Sequence, residues 1–157
     1  PTKLPLGISS DTPFTAFSFK VRLELEGEDA LICEGAFSEV SGLEATMEAE
    51  TLREGGANGR QIHLAGPVSY GRLGLKRGMT RGLGLWRWFR TVQERREARA
   101  SGEIALLSAD RKSELARFRL TGCLPLKIRA PTLDAMDGLV AIEEAEIAYE
   151  TLEVEED

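Results

Sequence analysis

Histidine and cysteine are the scarcest chemically reactive side chains in this sequence of 157 residues, which contains one histidine and two cysteines. A histidine-rich metal site needs more than one histidine, so the single histidine, His63, cannot form one unless a partner supplies further ligands. We therefore interpret His63 as an ordinary strand residue. Cys33 and Cys123 form no C-x-x-C pair. We therefore expect two buried thiols rather than a disulfide or a metal site.

Long hydrophobic runs are also missing, since no stretch approaches the ~18 apolar residues of a membrane span. Residues Pro1 to Pro13 lack the basic and apolar regions of a secretory signal. We expect cytoplasmic assembly and no membrane anchor. The Gly82-x-Gly84 and Gly55-Gly56 pairs lack the spacing of a phosphate-binding loop, so no nucleotide or other cofactor is expected.

What the sequence does contain is charge, distributed in blocks around a formal net charge of −6. Segment 24–54 is strongly acidic, segment 72–99 strongly basic, and segment 134–157 carries acids but no base. An acidic balance argues against sequence-specific nucleic-acid binding, although Trp86 and Trp88 lie beside arginines that could accompany base stacking. The blocks permit head-to-tail self-association, but they could equally be neighbours within one monomer.

Alternating hydrophobicity and many glycines predict a fold made mainly of short antiparallel strands. Apolar and polar residues alternate from Phe17 to Leu25, which predicts a strand. Turn residues at 26–29 then lead into a second, antiparallel strand over 31–40. Further strands are predicted at 61–64, 72–76, 104–107 and 115–120, the first two as a hairpin and the last two as another. The fold class is therefore a small β-barrel or two-sheet sandwich with one α-helix over about 80–100.

The helix is predicted to start with Thr80 as its N-cap and to stop before Ser101-Gly102. Its apolar sector, about 160° wide at about 100° per residue, exceeds the stripe that one core requires. The sector disappears beyond Val92, so we expect the first half of the helix to dock and the second half to project.

The last strand, predicted over 139–152, changes the parity of its apolar residues. A β-bulge near Glu143-Glu144 would explain the change and would let the strand bend around a corner of the fold. Adjacent strand residues point to opposite faces, so this acid pair is not expected to form a catalytic dyad, and we interpret it as a bulge with one solvated acid.

Residues 44–60 combine a thin apolar face with a flexible loop. Met47, Ala49 and Thr51 alternate with acids and Thr46, and Gly55 to Gly59 follow. A strand this poorly covered is suited to an edge or to a projecting arm that contacts another chain. The whole chain, 1–157, is predicted to be a single domain, with 1–13 as an N-terminal extension, 44–60 as the arm and 153–157 as an acidic tail.

Five motifs in order resemble the inner tube proteins of contractile injection systems and myophage tails. They are Phe37-Ser38-Glu39-Val40-Ser41-Gly42-Leu43, Arg53-Glu54-Gly55-Gly56, Leu75-Lys76-Arg77-Gly78, Leu85-Trp86-x-Trp88 and Val140-Ala141-Ile142-Glu143. The resemblance covers residues 14–152. It implies a structural subunit that forms hexameric rings, which stack into a hollow conduit inside a contractile sheath.

The resemblance also implies partners and interface residues. The partners would be further copies of the chain, sheath protein, baseplate and spike proteins, and lumen cargo, within a phage-tail-like particle that is released or membrane-attached. The subunit and ring interface would involve Arg53, Glu54, Gly55, Gly56, Lys76, Arg77, Trp86 and Trp88. No catalytic, cofactor-binding or metal residue is implied.

Two other readings stay open at this stage. A tube-initiating or tip-adaptor paralogue, joining spike and tube, would share the same motifs. A monomeric ligand-binding β-barrel would explain the strands without rings. An enzyme is not expected, because one histidine and scattered acids give no clustered set of titratable groups.

Overall fold

Alternating apolar residues form the strands of this protein, and the computed structural model describes them over residues 17–53, 60–131 and 141–155. In chain order the elements are β1 (Phe17–Leu25), β2 (Ala30–Phe37), β3 (Glu39–Ser41), β4 (Ala45–Arg53), β5 (Gln61–Tyr70), β6 (Arg72–Gly78), α1 (Gly84–Glu94), β7 (Ala100–Ser108), β8 (Glu114–Arg129), β9 (Ile142–Ala148) and β10 (Thr151–Glu155). The predicted extension 1–13, the arm loop 54–59 and the last two residues of the acidic tail lie outside the described residues.

The long strand β8 joins two groups of antiparallel strands. Its first part pairs with β7 and β10 and continues through β1 to β2, and its second part pairs with β9 and continues through β6 to β3. The register of β8 against β9 shifts between Pro125 and Lys127. Because β2 and β3 end this series of strands in the described part of the chain, the sheet is open, and the fold is a β-sandwich rather than a closed barrel.

The core lies between these two groups of strands and under α1. Its fully buried side chains come from β1, β6, α1, β7, β8 and β9, and the largest are Trp88, Leu23, Leu73, Leu75, Leu85, Ile104, Leu120 and Ile147. The predicted hairpins β1–β2 and β7–β8 are confirmed. The predicted hairpin between 61–64 and 72–76 is wrong, because β5 pairs with β4 while β6 pairs with β3 and β9.

The helix is shorter than predicted at both ends. Leu83, in the left-handed region at φ 50°, precedes it in place of Thr80, whose hydroxyl instead accepts the Gly82 N–H at 3.4 Å. A Cβ on Gly84 would lie 2.0 Å from the Ile32 carbonyl oxygen, so the first turn packs on β2 as only glycine allows. Beyond Glu94 the chain turns into β7 rather than projecting, and Val92 packs against the core.

The predicted bulge at Glu143-Glu144 is also wrong. The register of β9 against β6 is continuous from Ile142 to Ala148, and the odd-numbered side chains of this stretch all face inward. Ile142 belongs to the outer face, so its apolar side chain marks no change of parity. The chain bends later, at Tyr149 and Glu150, where β9 gives way to β10.

Candidate functional site

The hairpin of β4 and β5, which we call the arm, is the least buried pair of strands in the described structure. Every residue of β4 is exposed, and in β5 only Ile62, Gly66 and Tyr70 are partly covered. The two strands pair with each other and with no other strand of the described residues. A strand pair of this kind is marginal in water by itself, so the arm is suited to gaining contacts from another chain.

The strand register gives the arm two unlike faces near its tip. Leu52 pairs with Ile62 and Glu50 with Leu64, so one face combines apolar and acidic side chains. Thr51 pairs with His63 and Ala49 with Ala65 on the other face. The extra residue of the bulge at Gly66-Pro67 belongs to β5, so Glu48 keeps the alternation of β4 and shares the face of Glu50 and Leu52.

A buried tyrosine anchors the base of the arm. The Tyr149 hydroxyl donates to the Gly42 carbonyl at 2.7 Å and accepts the Glu44 N–H at 3.2 Å. The ring of Tyr149 lies 5.6 Å from that of Tyr70, the last residue of β5. One side chain of the sandwich therefore contacts both strands that lead out of it, which sets the direction in which the arm leaves.

An ion pair is buried beneath the start of α1. Arg77 Nε donates to Glu143 Oε1 at 2.6 Å, and the Glu143 side chain is 2% exposed. The Trp86 indole N–H donates to the other carboxylate oxygen at 3.2 Å, and the Arg77 guanidinium lies 4.9 Å from the centre of the Phe37 ring. The pair Glu143-Glu144 thus contains one solvated acid, as predicted, since the Glu144 side chain is 40% exposed on the outer face. Glu143 is the buried member and links β6, β9 and α1.

Rows of alternating charge cross the outer faces of both groups of strands. On one, Glu39, Lys76, Glu144 and Arg129 face one another across β3, β6, β9 and β8, and Lys76 lies 3.2 Å from Glu39. Glu39 raises the pKa of Lys76, with Glu144 adding to the effect. On the other group, the register aligns Glu34, Arg22, Glu103, Arg119 and Glu153 from β2 to β10.

Several charges of the acidic and basic segments pair within one subunit rather than between subunits. Acids of segment 24–54 and bases of segment 72–99 pair within one subunit at Glu28–Arg95 and Glu39–Lys76. The acids of the last segment likewise pair with Arg72 and Arg77. In the residues that the structure describes, no ion pair forms at Glu48, Glu50, Arg81, Arg90 or Arg96.

The predicted interface residues do not form one cluster. Arg53 is exposed at the end of β4, and Glu54, Gly55 and Gly56 lie outside the described residues. Arg77 and Trp86 meet at Glu143, whereas Lys76 points to the opposite, outer face of β6. Trp88 is 2% exposed, in the core.

Two residues of this region, Glu143 and Tyr149, are not among the predicted interface residues. Both lie on the odd-numbered face with Ala145 and Ile147, and a signal for Glu143 was available there. A single acid within an otherwise apolar strand face indicates a buried partner of opposite charge. Tyr149 had no comparable signal, since its hydroxyl partners are backbone groups brought near only by the fold.

A groove of about 460 Å³ lies between the end of α1 and the bend of β8. Its lining combines apolar side chains with two arginines, and the members are Phe89, Val92, Gln93, Arg96, Arg99, Leu124 and Pro125. Arg99 donates to the carbonyls of Arg96 and Ala98, which holds its guanidinium near the chain.

The reactive side chains behave as structural residues. Cys33 and Cys123 are free and buried, as predicted, and burial raises their pKa values to about 11 and about 12. Such thiols are unreactive near neutral pH. Among the residues described, no three His, Cys, Asp or Glu side chains gather as a metal site, and no helix is long and apolar enough to span a membrane.

The chain is similar to known proteins in sequence and in fold. Residues 15–153 match the family described as T4-like virus tail tube protein gp19. A chain of the six-fold symmetrised baseplate of the anti-feeding prophage is 30% identical, with 92% of this chain and 96% of that chain covered and a TM-score of 0.73. No curated protein matches.

More distant structures share the fold. A chain of the sheath-tube complex of the extracellular contractile injection system PVC is 19% identical, with 93% of each chain covered and a TM-score of 0.73. Hcp1 from Flavobacterium johnsoniae is 16% identical, with 86% of this chain and 94% of that chain covered and a TM-score of 0.57.

Proposed function

The chain belongs to the T4-like virus tail tube protein gp19 family, and from this premise we propose that it forms hexameric rings that stack into the inner tube of a contractile injection particle. Family membership carries the structural role, and one observation on this molecule supports the assembly. The arm exposes both of its strands and has apolar side chains at its tip, which a single copy leaves uncovered.

Ring stacking requires a contact between rings, and the exposed arm is suited to form it. A heterologous contact repeated along an axis does not close, so it produces a tube rather than a fixed oligomer. We propose that the arm reaches the next ring, with Arg53, Glu54, Gly55 and Gly56 at its tip. Glycine carries no Cβ, so a glycine pair in this sequence would allow another backbone to approach closely.

The other predicted interface residues divide by burial. Lys76 is half-buried within a charge row on the outer face, where a neighbouring subunit can reach it. Arg77 and Trp88 are buried within one subunit, and Trp86 is held by Glu143, so we propose that these three support the interface by fixing the fold.

The partners follow from the assembly. The solved baseplate and sheath-tube complexes that contain similar chains support sheath and baseplate proteins as neighbours of this chain. A spike at the tip and cargo in the lumen are proposed from the family resemblance alone. We propose cytoplasmic assembly and a conduit without enzymatic activity, because its role is to enclose a channel rather than to react.

A second candidate is a tube-initiating or adaptor subunit, which would form one ring and seed the tube. The observation that favours it is sequence identity: the 30% match is to a chain from a baseplate, whereas the match from a sheath-tube complex is 19% identical. The two candidates differ in the number of rings that the purified protein builds.

Electron microscopy of the purified chain, with mass from light scattering, tests both. A tube subunit gives rings that stack into tubes as concentration rises, and an initiating subunit gives rings that do not stack. A strictly monomeric particle at high concentration would contradict the ring proposal and favour a monomeric binding protein.

Replacing Gly55-Gly56 by Val-Val tests the arm. We expect folded subunits and intact rings but no tubes, with circular dichroism as the folding control. Normal tubes from this variant would refute the stacking role, and loss of the fold would show that the arm belongs to the core.

A further inference from the structure

One face of the arm near its tip combines exposed apolar side chains with acidic side chains. Leu52 and Leu64 are 53% and 42% exposed, and Ile62 lies beside Leu52 in the strand register. Glu48 and Glu50 alternate with Leu52 along β4 and pair with no cation among the described residues. A partner for this face therefore has to supply apolar surface and positive charge together.

The groove between α1 and β8 supplies that combination. Phe89, Val92, Leu124 and Pro125 give it an apolar lining, and Arg96 and Arg99 give it positive charge. Arg96 is exposed and makes no ion pair in the described part of the chain. The groove has a volume of about 460 Å³, which leaves room for several aliphatic side chains.

One subunit does not satisfy its own groove with its own arm. Among the described strands, β4 and β5 pair only with each other, and the groove lies open between a helix and a strand bend. The complementary surfaces therefore lie at different places on the same chain, which is the arrangement of a heterologous contact between copies.

We propose that the acidic and apolar face of the arm docks into the α1–β8 groove of a second copy. Glu48 and Glu50 then lie next to the partner copy's arginines, and the leucines cover its apolar lining. The inference rests on the proposed tube function and adds to it the surface that receives the arm.

Charge exchange between Glu50 and Arg96 tests the docking. Glu50→Arg and Arg96→Glu each place like charges together, so we expect each to raise the concentration needed for tube formation about tenfold or more. The double variant, Glu50→Arg with Arg96→Glu, restores an opposite pair and should bring that concentration back toward the wild-type value. Tubes and rings are counted by negative-stain microscopy, and sedimentation gives the assembled fraction.

Two variants control for charge: Arg90→Glu matches the charge change of Arg96→Glu, and Thr51→Arg introduces the same side chain as Glu50→Arg with half of its charge change. Arg90→Glu makes the same charge change on α1 outside the groove lining, and Thr51→Arg adds a cation to the other face of the arm. Both should form tubes at the wild-type concentration. Circular dichroism of every variant separates lost assembly from lost folding.

The outcomes separate this inference from the proposed function. Wild-type protein that forms no tubes contradicts the tube function, and the inference falls with it. Wild-type tubes together with unaffected single variants overturn the docking alone. Single variants that fail without rescue in the double variant also overturn it, because the two residues would then meet different partners, such as a sheath protein.

Discussion

Strands β5 and β6 are separated by one glycine, but they differ in how far their side chains are buried. In β6 the side chains of Leu73, Leu75 and Arg77 are buried, whereas in β5 Leu64 and Val68 are largely exposed. Both strands contain apolar side chains in a strand pattern. The difference lies in their neighbours, since β6 pairs on both sides with β3 and β9, and β5 pairs on one side with β4.

The contrast separates two uses of hydrophobic residues in one chain. Those of β6 hold the subunit together, because they leave water when the chain folds. Those of the arm stay in contact with water in a single copy and can contribute only when a second molecule covers them. Substitutions that are chemically alike should therefore affect folding in one strand and assembly in the other.

The largest contrast is expected between two leucine truncations. Leu73→Ala removes a side chain with 0% exposure and should lower the free energy of unfolding by about 3–5 kcal/mol. Leu64→Ala, at 42% exposure, should change it by less than about 0.5 kcal/mol and yet weaken tube formation. Urea unfolding and tube counts measure the two effects. Similar losses of stability would show that the arm packs on the sandwich.

The next effect concerns the buried pair that fixes α1 on β6 and β9. Glu143→Gln leaves the Arg77 cation buried without its counter-ion and should cost about 3 kcal/mol of unfolding free energy. Replacing both residues by apolar ones, Arg77→Met with Glu143→Leu, should recover most of this loss, because no unpaired charge remains and only the Trp86 N–H loses its acceptor. A double variant as unstable as the single one would contradict this account.

The fold was largely predictable because alternation is a local signal. The hairpins around 17–40 and 104–120, the two buried thiols and the open choice of a sandwich all followed from apolar periodicity and turn residues. The pairing of β5 was not predictable in the same way, since β4 and β6 were both available as partners and alternation does not choose between them.

The errors share a physical cause, which is tertiary context. The first residue of α1 is glycine because Gly84 lies too close to the Ile32 carbonyl for a side chain, and no local capping signal records that contact. The sequence around Glu143 does not identify the partner that its burial requires. Its partner Arg77 lies 66 positions earlier in the chain, and only the register of β6 against β9 brings them together.

A smaller effect is expected at the junction between sandwich and arm. Tyr149→Phe removes the hydroxyl that bonds Gly42 and Glu44, and should cost about 1 kcal/mol of stability. The amide of Glu44 should exchange faster with solvent, and tubes should form less readily because the arm loses its fixed direction. Tyr70→Phe is the matched control, since the Tyr70 hydroxyl makes no hydrogen bond within the described residues. Equal amide exchange in both variants would exclude the anchor.

The smallest effect belongs to an exposed pair on the sandwich, Glu28 with Arg95. The hydrogen bond from Arg95 lowers the pKa of Glu28 below its ordinary value of 4.5. A lowered folded-state pKa stabilises the ionised form, so this contribution is present above pH 4.5 and is lost as the pH falls through the folded value. An NMR titration of the Glu28 carboxyl should therefore give a midpoint below 4.5 in the wild type and near 4.5 in Arg95→Gln. Titration of the wild type at or above 4.5 would contradict the pair. Because exposed pairs of this kind are screened and weak, a strong dependence of tube formation on salt would have to come from pairs covered between copies, such as Glu50 with Arg96.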